Sequence, residues 1–276
     1  MNLLVLGSHG CIGTAVCKFL KEKGHTVIPW DIKMGPDYDL RIPGNIDSVL
    51  STVDFVFFLA FDVGGSKYNI ESLEYINNNV QIVMNTFTSL SKYKKPFIHT
   101  TSQMSNMNHN TYSVIKRLGE LYTKQLGGIN IKIWNVYGSE PINEKSHVIP
   151  DFIHQAIHSN EIQMKTTGEE ERQFVFSEDF ANGIYTVFKN YDEFKLLNNE
   201  CIDISSYKWI TITDVADCIQ EVAKELLQKD ITIKQGSMVG TFQILKNEPV
   251  HSKLNDLWTP TTTLKEGIIS VFKTMV

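Results

Sequence analysis

This sequence of 276 residues has few cysteines, no excess of positive charge and no long apolar run. Its four cysteines, at positions 11, 17, 201 and 218, show no Cys-x-x-Cys spacing, so we expect no metal site and reduced thiols in a cytoplasmic protein. Lys plus Arg number 26 against 31 Asp plus Glu, and a net charge of −5 disfavours nucleic-acid binding. The longest apolar run, residues 55–61, is far shorter than the roughly 20 residues of a membrane-spanning helix. The first residues also lack the basic start of a signal peptide. From the charge and the short apolar runs we expect neither a nucleic-acid nor a membrane partner.

Short apolar runs alternate with amphipathic helical stretches in the first half of the chain. The pattern predicts strands over residues 2–6, 25–30, 54–60, 96–100 and 129–134, and helices over 11–23, 71–93 and 112–126. Such alternation implies right-handed crossovers and a parallel sheet that is covered on both faces. The predicted fold class is therefore α/β, a doubly wound parallel sheet of the Rossmann type.

The second half is less regular and contains no internal repeat. We predict helices over 147–160, 177–189, 213–228 and 263–276, and strands over 174–176 and 201–204. No Pro/Gly/Ser-rich linker separates the halves, so we expect them to share one core. The proposed division assigns residues 1–140 and 173–204 to a dinucleotide-binding domain, and 141–172 and 205–276 to a small α/β substrate lobe.

A glycine loop follows the first predicted strand and opens the first helix. Its spacing is Gly-x-x-Gly-x-x-Gly, from Gly7 through Gly10 to Gly13. Glycine permits a tight turn and a close approach of backbone to ligand, and the helix N-terminus offers N–H groups to a pyrophosphate. A tight strand–helix turn without a ligand is the alternative. The residues expected to contact a cofactor here are Gly7, His9, Gly10, Cys11, Ile12 and Gly13.

Asp31 ends the second predicted strand, where a carboxylate can accept hydrogen bonds from the ribose hydroxyls of adenosine. Its charge would repel a 2′-phosphate, so we predict NAD rather than NADP as the cofactor. The plainer interpretation is a surface aspartate after a strand.

Tyr112 and Lys116 stand one helical turn apart, on one face of a predicted helix. A nearby cation favours the phenolate, so we expect Lys116 to lower the tyrosine pKa and make Tyr112 a general acid/base. A Tyr-x-x-x-Lys pair is also common on solvated helix faces. Here it follows a strand that ends in Thr100-Thr101-Ser102, which favours the catalytic interpretation.

With these motifs the chain resembles the extended short-chain dehydrogenase/reductases, which include nucleotide-sugar epimerases, dehydratases and 4-keto reductases. The resemblance runs over nearly the whole length. It implies adenine contacts at Asp39-Leu40-Arg41 and cofactor contacts at Leu59 and Ala60, at Asn79 on the next helix, and at Thr100. It makes Ser102 the catalytic serine, with Thr101 as a fallback, and it has Lys116 hold the nicotinamide ribose.

The same resemblance assigns substrate contacts. Asn135 lies in an Asn-x-Tyr-Gly segment, and Arg172 lies at the diphosphate position of the segment from Gly168 to Asp179. The residues expected to contact the substrate are Gly65, Ser102, Gln103, Met104, Asn135, His147 and Arg172.

Two segments resemble GDP-fucose synthases more narrowly, residues 60–65 and the Ser-His-Val-Ile-Pro segment at 146–150. The first segment also resembles GDP-mannose 3,5-epimerases. In the synthases this histidine is an acid/base for epimerisation, which makes His147 the fourth catalytic candidate; a polar residue at a helix N-terminus is the alternative. Gln103 and Met104 stand where dehydratases carry Asp-Glu and where 3,5-epimerases carry a cysteine at the second position, so dehydration is unexpected and two-base epimerisation is doubtful.

The sequence thus predicts an NAD-dependent epimerase or oxidoreductase of a nucleotide-diphosphate sugar, with GDP weakly favoured and hydride transfer at C4. A GDP-fucose-synthase-like epimerase–reductase that uses His147 is the second hypothesis, and a non-catalytic NAD sensor or scaffold is the third. The resemblance also implies a homodimer through the helices predicted at 71–93 and 112–126. The four tryptophans are expected only to pack.

Overall fold

The computed structural model describes residues 1–63, 71–107, 110–143, 146–197, 201–239 and 248–276. The strands are β1 (Asn2–Leu6), β2 (Thr26–Trp30), β3 (Phe55–Phe58), β4 (Phe97–Ser102), β5 (Ile129–Ile133), β6 (Asn135–Tyr137), β7 (Glu161–Gln163), β8 (Glu171–Arg172), β9 (Phe174–Phe176), β10 (Ile202–Ile204), β11 (Ile210–Thr211) and β12 (Thr232–Lys234). The helices are α1 (Cys11–Glu22), α2 (Asp47–Leu50), α3 (Leu73–Tyr93), α4 (Thr111–Leu126), α5 (Val148–Ser159), α6 (Ser177–Lys189), α7 (Tyr191–Leu196), α8 (Ile212–Leu227), α9 (Leu254–Leu257) and α10 (Leu264–Met275).

Six strands form one sheet in the order β10-β5-β4-β3-β1-β2, and each neighbouring pair is parallel. The predicted doubly wound parallel sheet is therefore confirmed. The order reverses between β1 and β3, and the carboxyl ends of these strands meet at the edge where open α/β sheets bind ligands.

Alternate residues of β1 face opposite layers, as the two-residue period of a strand requires. Leu3 and Val5 pack in a cluster with α1 and α6, whereas Leu4 and Leu6 pack in a second cluster with α3 and α4. All four side chains are fully buried, as expected for a strand covered on both faces.

A third apolar cluster lies outside the main sheet. It joins α5, α8 and α10 to β7 and β9, with Ile153, Ile219 and Phe272 at its centre. Two parallel pairs, β6 with β9 and β7 with β12, and one antiparallel pair, β8 with β11, complete this region. The exact boundaries of the two proposed domains stay a prediction.

The predicted elements are present, and their ends differ from the prediction by at most two residues. The strand predicted at 129–134 ends at Ile133, because the chain turns at Trp134. Asn135 then starts β6, which pairs with β9 rather than with the main sheet. The prediction missed several short elements, the strands β6, β7, β8, β11 and β12 and the helices α2, α7 and α9. Among the described residues, no helix combines the length and apolar character needed to cross a bilayer.

Candidate active site

The glycine loop connects β1 to α1, and two of its three glycines are required by close backbone contacts. Gly7 has a φ of 85°, and a Cβ there would lie 2.7 Å from the backbone of Ala60. A Cβ on Gly13 would overlap the carbonyl oxygen of Gly7. Gly10 has more room, since its nearest neighbour would be 3.7 Å away. The loop therefore holds its backbone closely against the ends of β1 and β3.

The N-terminus of α1 faces this loop. Gly10 is the N-cap residue, and no side chain caps the first N–H groups, which begin at Cys11. Such a helix start binds anions through its N–H groups and its dipole. Burial and the nearby Glu140 carboxylate raise the pKa of the Cys11 thiol to about 12, so this thiol stays protonated.

Asp31 is bound to the same loop. Its carboxylate accepts hydrogen bonds from the backbone N–H groups of His9 at 2.9 Å and Lys33 at 3.0 Å. The Lys33 ammonium in turn donates to the His9 carbonyl at 2.9 Å. These three bonds hold the carboxylate of Asp31 beside the glycine loop, where the sequence places it; its contact with a ribose stays a prediction.

A cavity of about 240 Å³ lies next to Asp31, and we call it the Trp30 cavity. Trp30 and Tyr38 meet edge to face in its wall, with ring centroids 4.8 Å apart. The indole N–H of Trp30 is buried and has no hydrogen-bond partner among the described residues. The cavity is lined by Gly7, Trp30, Asp31, Ile32, Tyr38, Asp39, Leu40, Arg41, Ala60, Phe61, Asp62, Asn78 and Ile82.

An ion pair lies in the wall of the Trp30 cavity. The Arg41 guanidinium binds Asp39 at 2.7 Å and donates to the Asn78 side chain at 2.9 Å. The same guanidinium holds the pKa of the Asp39 carboxyl below its usual range. Asp39 and Leu40 thus lie in the wall, as the resemblance implies, although the Asp39 carboxylate is already bound within the protein.

Asn79 is fully buried, and its amide is used by the neighbouring backbone. It accepts from the Asp62 N–H at 2.8 Å and donates to the carbonyls of Asp62 and Tyr75 at 3.1 and 3.2 Å. Asn79 therefore holds the loop after β3 in place, while its neighbour Asn78 lines the cavity. Leu59, by its N–H, donates to the Leu6 carbonyl at 2.9 Å and lies outside the cavity wall.

Ser102, Tyr112 and Lys116 come together at the end of β4. Ser102 is the last residue of this strand, and Tyr112 lies in the first turn of α4. The Ser102 hydroxyl is close enough to the Tyr112 phenol to act on its pKa. One helical turn later, the buried Lys116 donates to the Thr100 carbonyl at 3.3 Å. The Lys116 Nζ lies 5.8 Å from the Tyr112 ring centroid. The three side chains thus lie in one cluster, and their catalytic roles stay a prediction.

The predicted effect of Lys116 on the tyrosine is wrong for this structure. Burial raises the pKa of the Tyr112 phenol, and the group that opposes this shift is the Ser102 hydroxyl rather than the lysine. Burial also lowers the pKa of Lys116 to about 7, with Glu120 acting in the opposite direction. At neutral pH a lysine with this pKa is protonated in only part of the molecules, so it stabilises the phenolate less than a fully protonated lysine would.

Thr101 is excluded as a substitute for Ser102. Its hydroxyl is fully buried and donates to the Glu120 carboxylate of α4 at 2.7 Å. Residues 101 and 102 face opposite sides of β4, because side chains alternate along a strand. The fallback role for Thr101 is therefore a wrong prediction.

Gln103 and Met104 follow Ser102 in a short 3-10 turn over Gln103–Asn106. The Met104 N–H donates to the Ser102 hydroxyl at 3.2 Å, and Gln103 is buried. Both residues thus adjoin Ser102, and their contact with a substrate stays a prediction. Neither supplies a carboxylic acid or a thiol.

Asn135 begins β6 and has an unsatisfied polar atom. Its side-chain oxygen is buried without a hydrogen-bond partner among the described residues. Its N–H donates to the Gln173 carbonyl at 3.1 Å, which brings the neighbouring Arg172 strand alongside. The Arg172 guanidinium donates to the Glu171 carbonyl at 2.7 Å, and burial lowers its pKa. The structure thus places two predicted substrate residues, Asn135 and Arg172, on adjoining segments.

His147 is the N-cap residue of α5, and its ring is bound to Glu140. The distance from Nδ1 to the Glu140 carboxylate is 2.9 Å, and this hydrogen bond raises the pKa of His147. Its side chain makes no capping bond to the helix. His147 therefore stands at a helix start with its ring held by a carboxylate, and its role as an acid/base stays a prediction.

Sequence reasoning missed several residues of this site, namely Trp30, Tyr38, Asn78, Ile82 and Glu140. Trp30 was expected only to pack, yet it lines the cavity. No motif could have signalled these positions, since each reaches the site through tertiary packing. The predicted substrate residue Gly65 lies outside the described residues.

The residues present fit an NAD-type dinucleotide. The uncapped start of α1 suits a pyrophosphate, the Trp30 cavity offers an apolar wall of the size of a purine, and its buried indole N–H lacks a partner. The Asp31 carboxylate lies between the two.

The model of the NAD dependent epimerase/dehydratase family matches residues 3–198. A GDP-L-fucose synthase of Dictyostelium discoideum is 26% identical over 255 residues, which cover 80% of this chain and 79% of that protein.

Two solved structures share the fold. The UDP-glucose 4-epimerase of Bifidobacterium longum, in complex with NAD+ and UDP, aligns with a TM-score of 0.79 and 17% identity, covering 99% of this chain and 97% of its own. A GDP-L-fucose synthetase of Naegleria fowleri bound to NADP aligns with a TM-score of 0.77 and 18% identity, covering 99% and 91%. At such identities the likeness establishes the fold alone.

Proposed function

Because the chain belongs to the NAD dependent epimerase/dehydratase family, we propose that it transfers hydride reversibly at C4 of a nucleotide-diphosphate sugar, with Tyr112 as acid/base. The observation that carries this proposal is the cluster of Ser102, Tyr112 and Lys116 at the end of β4. Proton transfer to a reacting sugar oxygen requires a set of groups of this kind, a phenol with a neighbouring hydroxyl and a buried amine.

We assign the cofactor to the start of α1 and the Trp30 cavity. The family uses NAD(P), and we propose NAD because the Asp31 carboxylate, fixed by the N–H groups of His9 and Lys33, would repel a 2′-phosphate. The adenine would lie against Trp30, Leu40 and Ala60, and the pyrophosphate at Gly10 and Cys11.

Each residue of the catalytic cluster then has one task. The bound nicotinamide ring supplies the hydride acceptor and donor. Tyr112 takes the proton of the C4 hydroxyl, or returns it, while Ser102 donates a hydrogen bond to the same oxygen. Lys116 lies behind the phenol and would hold the nicotinamide ribose.

The sugar nucleotide would lie on the side of Asn135 and Arg172. The unsatisfied side-chain oxygen of Asn135 can accept a substrate hydroxyl, and a guanidinium fits diphosphate oxygens through parallel hydrogen bonds. Because the relative from Dictyostelium discoideum is named for a GDP-sugar, we favour GDP as the nucleotide of the substrate.

A homodimer through α3 and α4 is part of the proposal. Met84 on α3 and Val114 and Leu121 on α4 expose 48–54% of their surfaces to solvent. Light scattering measures the mass directly, and a monomer would refute this part. Leu121→Glu, which adds a charge in place of an apolar contact, should shift a dimer toward monomer.

A second candidate function is a 4-keto-sugar epimerase–reductase, and the observation that favours it is the Glu140–His147 pair. In this reaction the enzyme moves a proton at a carbon next to the ketone before it reduces the ketone.

One experiment separates these candidates. The purified protein is denatured and any released nucleotide is identified, and the protein is then incubated with a panel of GDP- and UDP-hexoses and their 4-keto-6-deoxy forms. Retained NAD(H) with interconversion of two hexoses supports the C4 epimerase, whereas an empty protein that consumes NADH with a 4-keto sugar supports the reductase. A protein that turns over none of them, or that binds NADP alone, refutes the corresponding part of the proposal.

A further inference from the structure

Glu140 binds His147 at two points. One carboxylate oxygen accepts the backbone N–H of His147 at 2.6 Å, and the carboxylate also binds the ring Nδ1 at 2.9 and 3.1 Å. The Glu140 side chain is only 11% exposed, whereas the His147 side chain is 48% exposed. The carboxylate is thus shielded from water, while the imidazole remains accessible.

This contact determines where the ring carries its protons. A carboxylate accepts at Nδ1 only if Nδ1 bears hydrogen, so the neutral ring has its lone pair at Nε2. The bond to Glu140 also raises the pKa of His147 above its ordinary value, because the carboxylate favours the charged ring. Such a ring can take a proton at Nε2 and give it back, so it can exchange a proton at a carbon next to a ketone.

The pair lies beside the glycine loop. Gly138 packs so closely on Cys11 and Ser177 that a Cβ there would lie 3.1 Å from the Cys11 sulfur. The Glu140 charge acts on the same thiol, the first residue of α1. The segment that carries Glu140 also begins with Asn135, whose free side-chain oxygen marks the substrate side of the site.

We propose that Glu140 is a positioning residue, which fixes the His147 ring so that Nε2 transfers the proton at the carbon next to a 4-keto group. This inference rests on the second candidate function. In the step, the C–H bond next to the ketone breaks and its proton goes to Nε2. The electron pair forms the enolate carbon–carbon double bond as the carbonyl π pair moves to oxygen, and return of a proton from Nε2 to the same carbon restores the ketone.

Other groups near His147 do not replace Glu140. The Cys11 thiol of α1 is neutral at physiological pH, and Asp151, one turn further along α5, binds the Gln155 side chain at 2.9 Å. Residues 144 and 145 precede His147 and lie outside the described residues.

The first test measures the His147 pKa by NMR titration of the imidazole, with His147→Gln used to assign the signal. Glu140→Gln keeps the size and an acceptor oxygen but removes the charge, and it should lower the pKa by about one unit or more. Asp151→Asn removes a carboxylate from the same helix and should leave the pKa nearly unchanged. Glu140→Asp, which keeps the charge, should recover part of the shift. Equal His147 pKa values in wild type and Glu140→Gln would overturn the proposal.

The second test follows proton exchange at carbon. Wild type and variants are incubated in D₂O with GDP- and UDP-4-keto-6-deoxyhexoses, and deuterium uptake is measured by mass spectrometry. We expect His147→Gln to abolish uptake, and Glu140→Gln to slow it about tenfold or more and to move its pH profile.

The outcomes distinguish this inference from the proposed function. Reduction without any deuterium uptake by wild type would overturn the inference and leave hydride transfer standing. Uptake by Glu140→Gln with the wild-type rate and pH profile would also overturn it. If wild type neither exchanges nor reduces any substrate of the panel, the second candidate function itself is refuted.

Discussion

The ammonium of Lys116 lies 3.9 Å from the centre of the Phe61 ring. The same ring meets Tyr112 edge to face, with centroids 5.5 Å apart, so one phenylalanine from the loop after β3 contacts both members of the Tyr-x-x-x-Lys pair. A ring face attracts a cation but solvates it far less well than water does. This contact helps to explain how an amine with a pKa of about 7 is tolerated in the site.

Lys116→Met should stabilise the protein, and more so at lower pH. The folded-state pKa of about 7 lies below the ordinary value of 10.5, so between these values the unfolded chain binds a proton that the folded chain does not. The destabilisation by Lys116 is therefore full below pH 7 and disappears as the pH rises toward 10.5. A stabilisation of about 1 kcal/mol raises the Tm of a chain of this size by about 2–4 °C. We expect the Tm of the cofactor-free variant to rise by at least this amount at pH 6.5 and by less at pH 9.5.

The control is Lys124→Met, which removes an exposed lysine from the same helix. Its effect on Tm should differ little between the two pH values. A Lys116→Met variant that is no more stable than wild type at pH 6.5 would contradict the assignment of a low pKa.

Tyr112→Phe should lose turnover while it still binds cofactor. The variant keeps the ring that packs on Phe61 and removes only the hydroxyl that exchanges the proton. General acid/base groups contribute about 100- to 10,000-fold, and we expect kcat to fall within that range. Tyr122→Phe, on the same helix and stacked on Phe87 at 5.1 Å, should leave kcat unchanged. Normal turnover by Tyr112→Phe would end its assignment as acid/base.

Gly13→Ala should destabilise the fold even without a cofactor. Its Cβ would overlap the Gly7 carbonyl oxygen, which is backbone and cannot rotate away. Overpacking of this kind typically costs about 1–3 kcal/mol of the free energy of unfolding. Gly10→Ala is the matched variant, because its Cβ would meet nothing closer than 3.7 Å, and urea unfolding should show a smaller loss. Equal losses in the two variants would show that the Gly7–Gly13 contact is not tight.

Asp31→Ser should relax the preference for NADH over NADPH. Removal of the carboxylate abolishes its repulsion of a 2′-phosphate, and the serine hydroxyl can still bind a ribose. We expect the ratio of the NADPH to the NADH dissociation constant, measured by fluorescence titration, to fall about tenfold or more, the change expected from about 1.4 kcal/mol. Asp37→Asn removes an exposed charge nearby and should leave the ratio unchanged. A ratio that Asp31→Ser does not alter would argue against the proposed role of Asp31.

The motif residues could be located from the sequence because their geometry is local. Gly7 and Gly13 are set by one strand–helix turn, and the spacing of Tyr112 and Lys116 by one turn of helix. Ser102 was assigned from the resemblance of residues 97–102 to the strand that carries the serine in the family, and it is the last residue of β4. The main strands and helices were predictable for the same reason, since each repeats its apolar period within its own length.

Properties that arise from packing could not be predicted in this way. The pKa of Lys116 depends on Phe61, which comes from another part of the chain, and the direction of the shift was therefore unexpected. Trp30 turned out to be a cavity wall because Tyr38 and Ile82 face it. Strands of two or three residues such as β8 and β11 carry no period that a sequence could reveal.

The last strand of the sheet, β10, is separated from its neighbour β5 by β6 to β9 and three helices. During synthesis the ribosome must therefore release some seventy further residues after β5 before this edge can be paired, as counted from Ile133 to Ile204. Until then the apolar edge formed by Ile131 and Ile133 is open to other nascent chains, and open edges promote aggregation. Truncation before Ile202 would make that exposure permanent, so we expect a fragment of the first 140 residues to aggregate more readily than the full chain.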